Sequence, residues 1–382
     1  MLYVLTGKMI NNGCLYHDNV ITTDGERIAD IFPYEDGKID GKNIIDLRGL
    51  TVVPGFIDLH MHGAMGYDVM DASYEALEAM SVFKVNEGCT SFCPTTITAP
   101  MEKIEKAVMN IRSAIDRGTS GAKILGAYLE GPWINPEWKG AHPEEHIRTP
   151  DMTEINRIIN TGNGCVKSII IAPDTEGAVD VIKAVTDMGV QVRLGHTGAS
   201  YDEAKLAVEA GANLATHTYN QMSLLHHREP GMVGAVMTID ELSGELICDF
   251  IHTHKAAAEI LVKAKGKNGI VLVTDSIAAT GLSDGKYKLG ELDVNVINGV
   301  SRLPNGTLAG STTSLIECVR NLHLHIKIPL EDVIEMVTAN PAKSIGMFHE
   351  IGSLDKGKYA DMVAIDDDLI IKKVIIGGVV RK

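Results

Sequence analysis

His60 and His62 stand two residues apart at the close of the first strongly apolar run of the chain. Four more groups able to hold a cation or move a proton follow at the ends of later runs: Glu130, His196, His217 and Asp275. Imidazole and carboxylate are the donors that zinc or iron accepts. A carboxylate beside such an ion can take a proton from an attacking water and hand it on. Side chains two apart on a strand share a face, so His60 and His62 can point the same way. Each group alone has a blander reading. A histidine at a strand end is more often a hydrogen-bonded loop residue, Glu130 before Gly131-Pro132 can be a turn carboxylate, and Asp275 can cap the next segment. Six such groups at five run ends are hard to explain as independent accidents, and metal-assisted hydrolysis is the chemistry they suit.

The elements that must position them follow from hydrophobic patterning. Eight apolar runs of strand length cover 52–60, 90–96, 124–129, 166–172, 191–196, 214–217, 246–251 and 270–274. Helical patterns lie between them, such as the stripe Met101, Ile104, Val108, Ile111 and Ile115. Ser200 with Glu203 reads as a capping box opening a helix through Val208. Strand–helix alternation of this kind predicts an α/β fold with a closed, TIM-like (β/α)₈ barrel, whose strand ends converge on one face. The alternative is an open doubly wound sheet. No GxGxxG or GxxxxGK[ST] follows the first strand, which weighs against it.

Short strands separated by turn signals at Asp24-Gly25 and Asp36-Gly37 fill the first fifty residues. An irregular stretch, 276–310, is expected to form a loop with a hairpin at Asn305-Gly306. Helical patterns at 315–326 and 330–343 follow, and the tail returns to strand texture at 362–365 and 372–376. Residues 1–53 and 353–382 are therefore expected to meet in one small β-sandwich domain, with the barrel, 54–352, inserted within it.

A chain of 382 residues suits a barrel of about 250 plus a smaller module. With 35 basic and 50 acidic residues the net charge is -15, a field that disfavours nucleic acid and anionic membranes. The six cysteines form no CxxC pair and read as reduced core thiols. No apolar run approaches the roughly 18 residues of a membrane span. Lys8 falls where a signal peptide needs its apolar centre, so a cytoplasmic location is expected. Arg228 offers a planar fork for phosphate oxygens, against the blander reading of a surface pair with Glu229. His226, His227 and His254 read as solvated loop residues.

The segment Val53-Pro54-Gly55-Phe56-Ile57-Asp58-Leu59-His60-Met61-His62-Gly63 resembles the opening signature of the amidohydrolase superfamily. The tail, with Gly352-Ser353-Leu354, Lys356-Gly357, Tyr359-Ala360-Asp361 and Val363, is similar to that group's return to its β domain. More narrowly, Leu129-Glu130-Gly131-Pro132, Lys139-Gly140-Ala141-His142, Gly195-His196-Thr197, Thr216-His217-Thr218-Tyr219-Asn220-Gln221-Met222, Arg228-Glu229-Pro230-Gly231 and Thr274-Asp275-Ser276 resemble the N-acetylglucosamine-6-phosphate deacetylase family. The resemblance spans nearly the whole chain.

It implies hydrolysis of the acetamide of a sugar phosphate in amino-sugar catabolism. Glu130, His196 and His217 would hold a primary divalent ion, zinc or iron, and Asp275 would act as base and then acid. His142 would steady the carbonyl or a sugar hydroxyl. Asn220, the backbone amide of Gln221, Arg228 and His252 would meet the sugar phosphate. Members of the family differ at the first-strand pair, and some bind one metal. His60 and His62 are kept here, so a second site of variable occupancy is expected, giving one or two ions per subunit, with Glu130 able to bridge two. A homodimer is common in the family, and the partner can contribute phosphate contacts. The competing substrate is N-acetylgalactosamine 6-phosphate. A dihydroorotase-type reading suffers because Lys167 is the only lysine of the fourth run and stands near its start. A non-catalytic scaffold of the same descent would have lost ligands that this chain keeps.

Overall fold

The computed structural model describes residues 1–36, 39 and 43–382; the second half of the Asp36-Gly37 turn signal lies outside the described residues. Eight short strands pair in parallel, each with the next: Phe56–Met61, Cys89–Thr96, Ala127–Leu129, Val166–Ile170, Gln191–Leu194, Leu214–Ala215, Ser243–Leu246 and Ile270–Leu272. The ring closes just past the eighth strand. Asp275 N–H donates to the His60 carbonyl at 2.8 Å, and His62 N–H donates to that of Ser276 at 2.7 Å. Strands covered on both faces must be apolar throughout, and nearly every residue of these eight is buried. The first two strands are buried at every position.

The helices obey their sequence patterns. Met101–Arg117 buries Met101, Ile104, Val108 and Ile111 against the barrel. Tyr201–Glu209 opens on the expected box: Glu203 N–H donates to Ser200 Oγ, and Ser200 N–H donates to the Glu203 carboxylate.

Two strand expectations need correction. The run 52–60 is divided, because Ile44–Pro54 belongs to a separate sheet and the barrel strand begins at Phe56. Gly55 lies at the junction, where a β-carbon would come within 2.0 Å of Thr90 Oγ1; only glycine lets the chain cross there. The seventh strand is Ser243–Leu246 and not 246–251. The stronger apolar run that follows is loop, buried at Ile247 and Cys248 and emerging at Ile251, and Asn321 Nδ2 ties it down by donating to the Cys248 carbonyl at 2.8 Å.

Both termini build one seven-stranded sheet, in the order Val379–Val380, Ile371–Ile376, Met362–Ile365, Ile44–Pro54, Leu2–Asn11, Cys14–Asp24 and Arg27–Pro33. Val4, Met9, Ile21, Val52, Leu354 and Met362 form part of a core of its own. The stretch 276–310, expected to be irregular, holds an antiparallel sheet of Gly285–Leu289, Leu292–Ile297 and Val300–Arg302. Its Leu289, Val294 and Val296 pack on Ile97 and Ile277 beside the barrel mouth. The turn at Asn305-Gly306 follows its last strand, where Leu303 N–H donates to the Thr307 carbonyl. The expected helix 315–326 passes from Leu315–Arg320 into a π-helical stretch, Asn321–Ile326. The helix expected over 330–343 breaks at Thr338 into Leu330–Val337 and Ala339–Ser344. Five cysteines are buried and Cys14 is exposed. Among the described residues no helix is long and apolar enough to cross a membrane.

One buried cluster fastens the seam. Lys84 Nζ lies 2.7 Å from Asp58 Oδ2 and 2.5 Å from Glu87 Oε2, and Asp58 also accepts from Thr274 Oγ1 at 2.6 Å. Truncation of one partner strands buried charge. Lys84→Ala is therefore expected to lower unfolding stability by about 3–5 kcal/mol, read from a urea titration. A loss below 1 kcal/mol would mean that water or a rearranged neighbour satisfies Asp58.

Candidate active site

Parallel strands direct their carboxyl ends to one rim, and the backbone there turns the candidate side chains inward. His196, His217 and Asp275 adopt φ of 49°, 27° and 50°, the left-handed region that residues with a β-carbon avoid. Such conformations cost of order 1–3 kcal/mol each and persist only where the surroundings impose them. Periodicity carries no trace of this, since a run of apolar residues does not report the dihedral of the residue that ends it.

Glu130 is the centre of the cluster. Its Oε1 lies 3.3 Å from His196 Nε2, 3.1 Å from His217 Nε2 and 3.4 Å from His60 Nε2. Its Oε2 lies 2.9 Å from His62 Nε2 and 3.5 Å from His142 Nε2. Asp275 Oδ1 approaches His62 Nε2 at 3.2 Å and His60 Nε2 at 3.4 Å. Two ligand groups thus share one carboxylate: His60, His62 and Asp275 on one side, His196 and His217 on the other. His142 reaches Glu130 as well, with its Nδ1 2.7 Å from Thr98 Oγ1.

The far side of each ring is anchored. His62 Nδ1 meets the Thr95 carbonyl at 3.1 Å and His196 Nδ1 that of Trp138 at 2.9 Å, so both Nε2 atoms face the cavity. Two features suit a cation. The Nε2 atoms of His196 and His217 stand 3.1 Å apart over one carboxylate oxygen. His60 Nε2 is buried with no hydrogen-bond partner while facing two carboxylates. His60, His62, Glu130 and Asp275 offer donor atoms all within 4.8 Å of one another, and so do Glu130, His142 and His196.

The electrostatics agree. Burial alone would raise the Glu130 carboxyl, but the charge of His60 and hydrogen bonds from His142, His196 and His217 hold it well below the usual range. Asp275 is likewise pushed up by burial and brought below its usual value by His60 and His62. Burial, helped by His142, lowers His196 to about 4, so that imidazole stays neutral and able to donate its lone pair. Burial also works to lower His62, but Asp275 and Glu130 outweigh it and lift it to about 9. A pocket that draws a proton this strongly also draws a divalent cation.

All of the cluster but His60, which is fully buried behind it, lines a cavity of about 60 Å³. Asn220, Gln221 and His252 lie on its rim, and His252 Nδ1 is held by Asp249 Oδ2 at 2.7 Å. Ile97, Ile247, Leu289 and Leu308 supply apolar wall that the sequence reading missed. Arg228 is not brought to this cavity. It is exposed, its Nη1 lies 2.8 Å from His227 Nε2, and it lines a separate hollow with His226, Tyr201 and Pro230. His226 and His227 are exposed beside it, and His254 caps the helix Lys255–Lys265. Lys167 lies outside the cavity lining. Glu245, fully buried beneath His60, was also missed; the misplaced seventh strand began one residue after it.

Residues 51–381 match the amidohydrolase family. The chain belongs to the amidohydrolase family. This amidohydrolase is 40% identical over 361 residues to the N-acetylglucosamine-6-phosphate deacetylase of Vibrio furnissii, covering 94% of this chain and 90% of the relative. It is also 40% identical over 325 residues to the N-acetylgalactosamine-6-phosphate deacetylase of Escherichia coli, covering 85% and 86%. Among solved structures it superposes on a mutant N-acetyl-D-glucosamine-6-phosphate deacetylase of Mycobacterium smegmatis in complex with N-acetyl-D-glucosamine-6-phosphate. The TM-score is 0.94 at 30% identity, over 100% of this chain and 99% of that one. The family implies a divalent metal, and the donor set of this amidohydrolase fits one.

Proposed function

We propose that this amidohydrolase removes the acetyl group of N-acetyl-D-glucosamine 6-phosphate, giving D-glucosamine 6-phosphate and acetate in cytoplasmic amino-sugar catabolism. The observation that carries the reading is Glu130 shared between His196 and His217 on one side and the His60, His62 and Asp275 group on the other. Glu130, His196 and His217 would hold the primary ion, zinc or iron, and His60 and His62 would hold a second. When bound, the cation lowers the pKa of water and polarises the amide carbonyl. Asp275, kept ionised by its histidine neighbours, takes the proton from the attacking water and returns it to the departing amine, which is otherwise a poor leaving group. His142 orients the carbonyl or a sugar hydroxyl. Asn220, the Gln221 amide and His252 receive the sugar phosphate at the rim. The barrel, 54–352, is the catalytic unit, and 1–53 with 353–382 is its companion domain.

Arg228 enters this reading through a homodimer, in which its exposed loop, with Leu224 and Leu225 beside it, meets a second copy. Arg228→Ala is expected to raise KM for the phosphorylated sugar about 10- to 100-fold, the worth of a charge-assisted hydrogen bond. Residual activity on N-acetylglucosamine itself should be nearly unchanged; equal losses on both would count against a phosphate clamp.

A second reading, the galacto epimer, is supported by the equal identity to the E. coli relative. Acetate release from phosphorylated and unphosphorylated gluco and galacto N-acetyl sugars, with and without chelator, tests both. No release from any phosphorylated sugar by metal-loaded protein would favour a non-catalytic scaffold.

A further inference from the structure

Five histidine rings of the site reach Glu130 from one edge and find a partner, or, for His217, none, on the other. For His62 and His196 that partner is a neutral backbone carbonyl, and for His142 a threonine hydroxyl. His60 differs. Its Nδ1 lies 3.1 Å from Glu245 Oε2, and both side chains are fully buried. A buried carboxylate needs compensation, and among the described residues His60 is the one ion-pair partner of Glu245.

Counting protons fixes the arrangement. An ionised carboxylate only accepts. Glu245 Oε2 accepts from His60 Nδ1–H and from the His217 backbone N–H at 3.2 Å. Its Oε1 accepts from the Tyr128 hydroxyl at 3.2 Å, and Thr216 Oγ1 at 2.9 Å from the Tyr128 oxygen supplies the donor that oxygen then needs. With Nδ1–H committed to Glu245, Nε2 is the atom of His60 left to meet a cation, which would take the place of any proton there. That atom faces Glu130 Oε1 and Asp275 Oδ1, each 3.4 Å away, and makes no hydrogen bond. Two carboxylate oxygens and an imidazole nitrogen converge there, a donor set that a divalent cation suits.

We propose that Glu245 is a positioning residue that fixes the tautomer of His60 and thereby sets the affinity of the second cation site; the proposal rests on the two-cation reading above. A carboxylate behind a ligating imidazole holds its orientation and raises its basicity, and losing such a partner typically costs about 10- to 100-fold in metal affinity. Because Glu245 touches His217 only through the backbone, the effect falls on the ion held by His60 and His62.

Chelator-stripped full-length protein is titrated with zinc, and ions per chain are counted for the wild type, Glu245→Gln and Glu245→Ala. The wild type is expected to take two ions. Glu245→Gln keeps the shape but not the charge and should weaken the second about 10-fold, with Glu245→Ala nearer 100-fold; the first ion should bind as in the wild type in both. Histidine ring ¹⁵N shifts read the tautomer separately: a protonated Nδ1 on His60 in the wild type, and a mixed population in Glu245→Ala. Should Glu245→Ala not fold, Glu245→Gln alone decides. Unchanged affinity for the second ion, or loss of both ions together, overturns the proposal. A wild type that takes one ion ends the two-cation reading, and the proposed control of affinity with it; the ring shifts then still report whether Glu245 sets the tautomer.

Discussion

Asp275→Asn is expected to leave a folded protein that keeps the ion of Glu130, His196 and His217 but loses a factor of about 10²–10⁴ in kcat, the usual worth of a positioned general acid or base. The substitution is well suited to the position. Asp275 sits at a φ of 50°, and asparagine tolerates the left-handed region almost as well as aspartate. Its carboxyl Oδ1 contacts His60 and His62 at 3.4 and 3.2 Å, contacts an amide of the same shape can occupy without carrying a proton away. Acetate release and ion content, measured on one preparation, check the two halves of this expectation. Wild-type turnover in Asp275→Asn would remove the residue from its role.

Glu130→Gln should act on the ions themselves. One Glu130 oxygen serves His196 and His217 and the other serves His62, so removing the charge weakens both sides of the cluster. A fall in metal affinity of more than about 100-fold is expected, beyond the usual loss when only a supporting partner of a ligand is removed. Turnover should fall with it. Elemental analysis after dialysis provides the measurement, and a Gln variant with full ion content would disprove the sharing of this carboxylate.

The ends of the barrel strands were legible because chemistry and pattern coincide there: apolar runs terminate in His60, Glu130, His196, His217 and Asp275, and a parallel ring gathers such ends. What failed was less patterned. Gly244 and Glu245 interrupt the apolar texture of the seventh strand, so the run beginning at Leu246 looked the better candidate although it is loop. Glu245 was lost with that boundary. The sheet over 285–302 buries few of its residues, leaving few apolar positions to read. Arg228 was legible as a residue able to hold phosphate, but whether its loop faces the cavity depends on tertiary geometry that local sequence does not encode. The pairing of Leu2–Asn11 with Ile44–Pro54 in parallel is likewise a long-range choice.

The seam between the eighth and first strands also completes the proposed proton path. Asp275 donates its backbone N–H to His60, and Thr274 reaches Asp58 across 216 residues of chain. Contacts so distant in sequence close the longest loop of the barrel and carry its largest closure entropy. A ring lacking its eighth strand would still carry His60, His62, Glu130, His196 and His217, but not the carboxylate proposed to move the proton. Closing that one seam is what sets Asp275 against the two first-strand histidines.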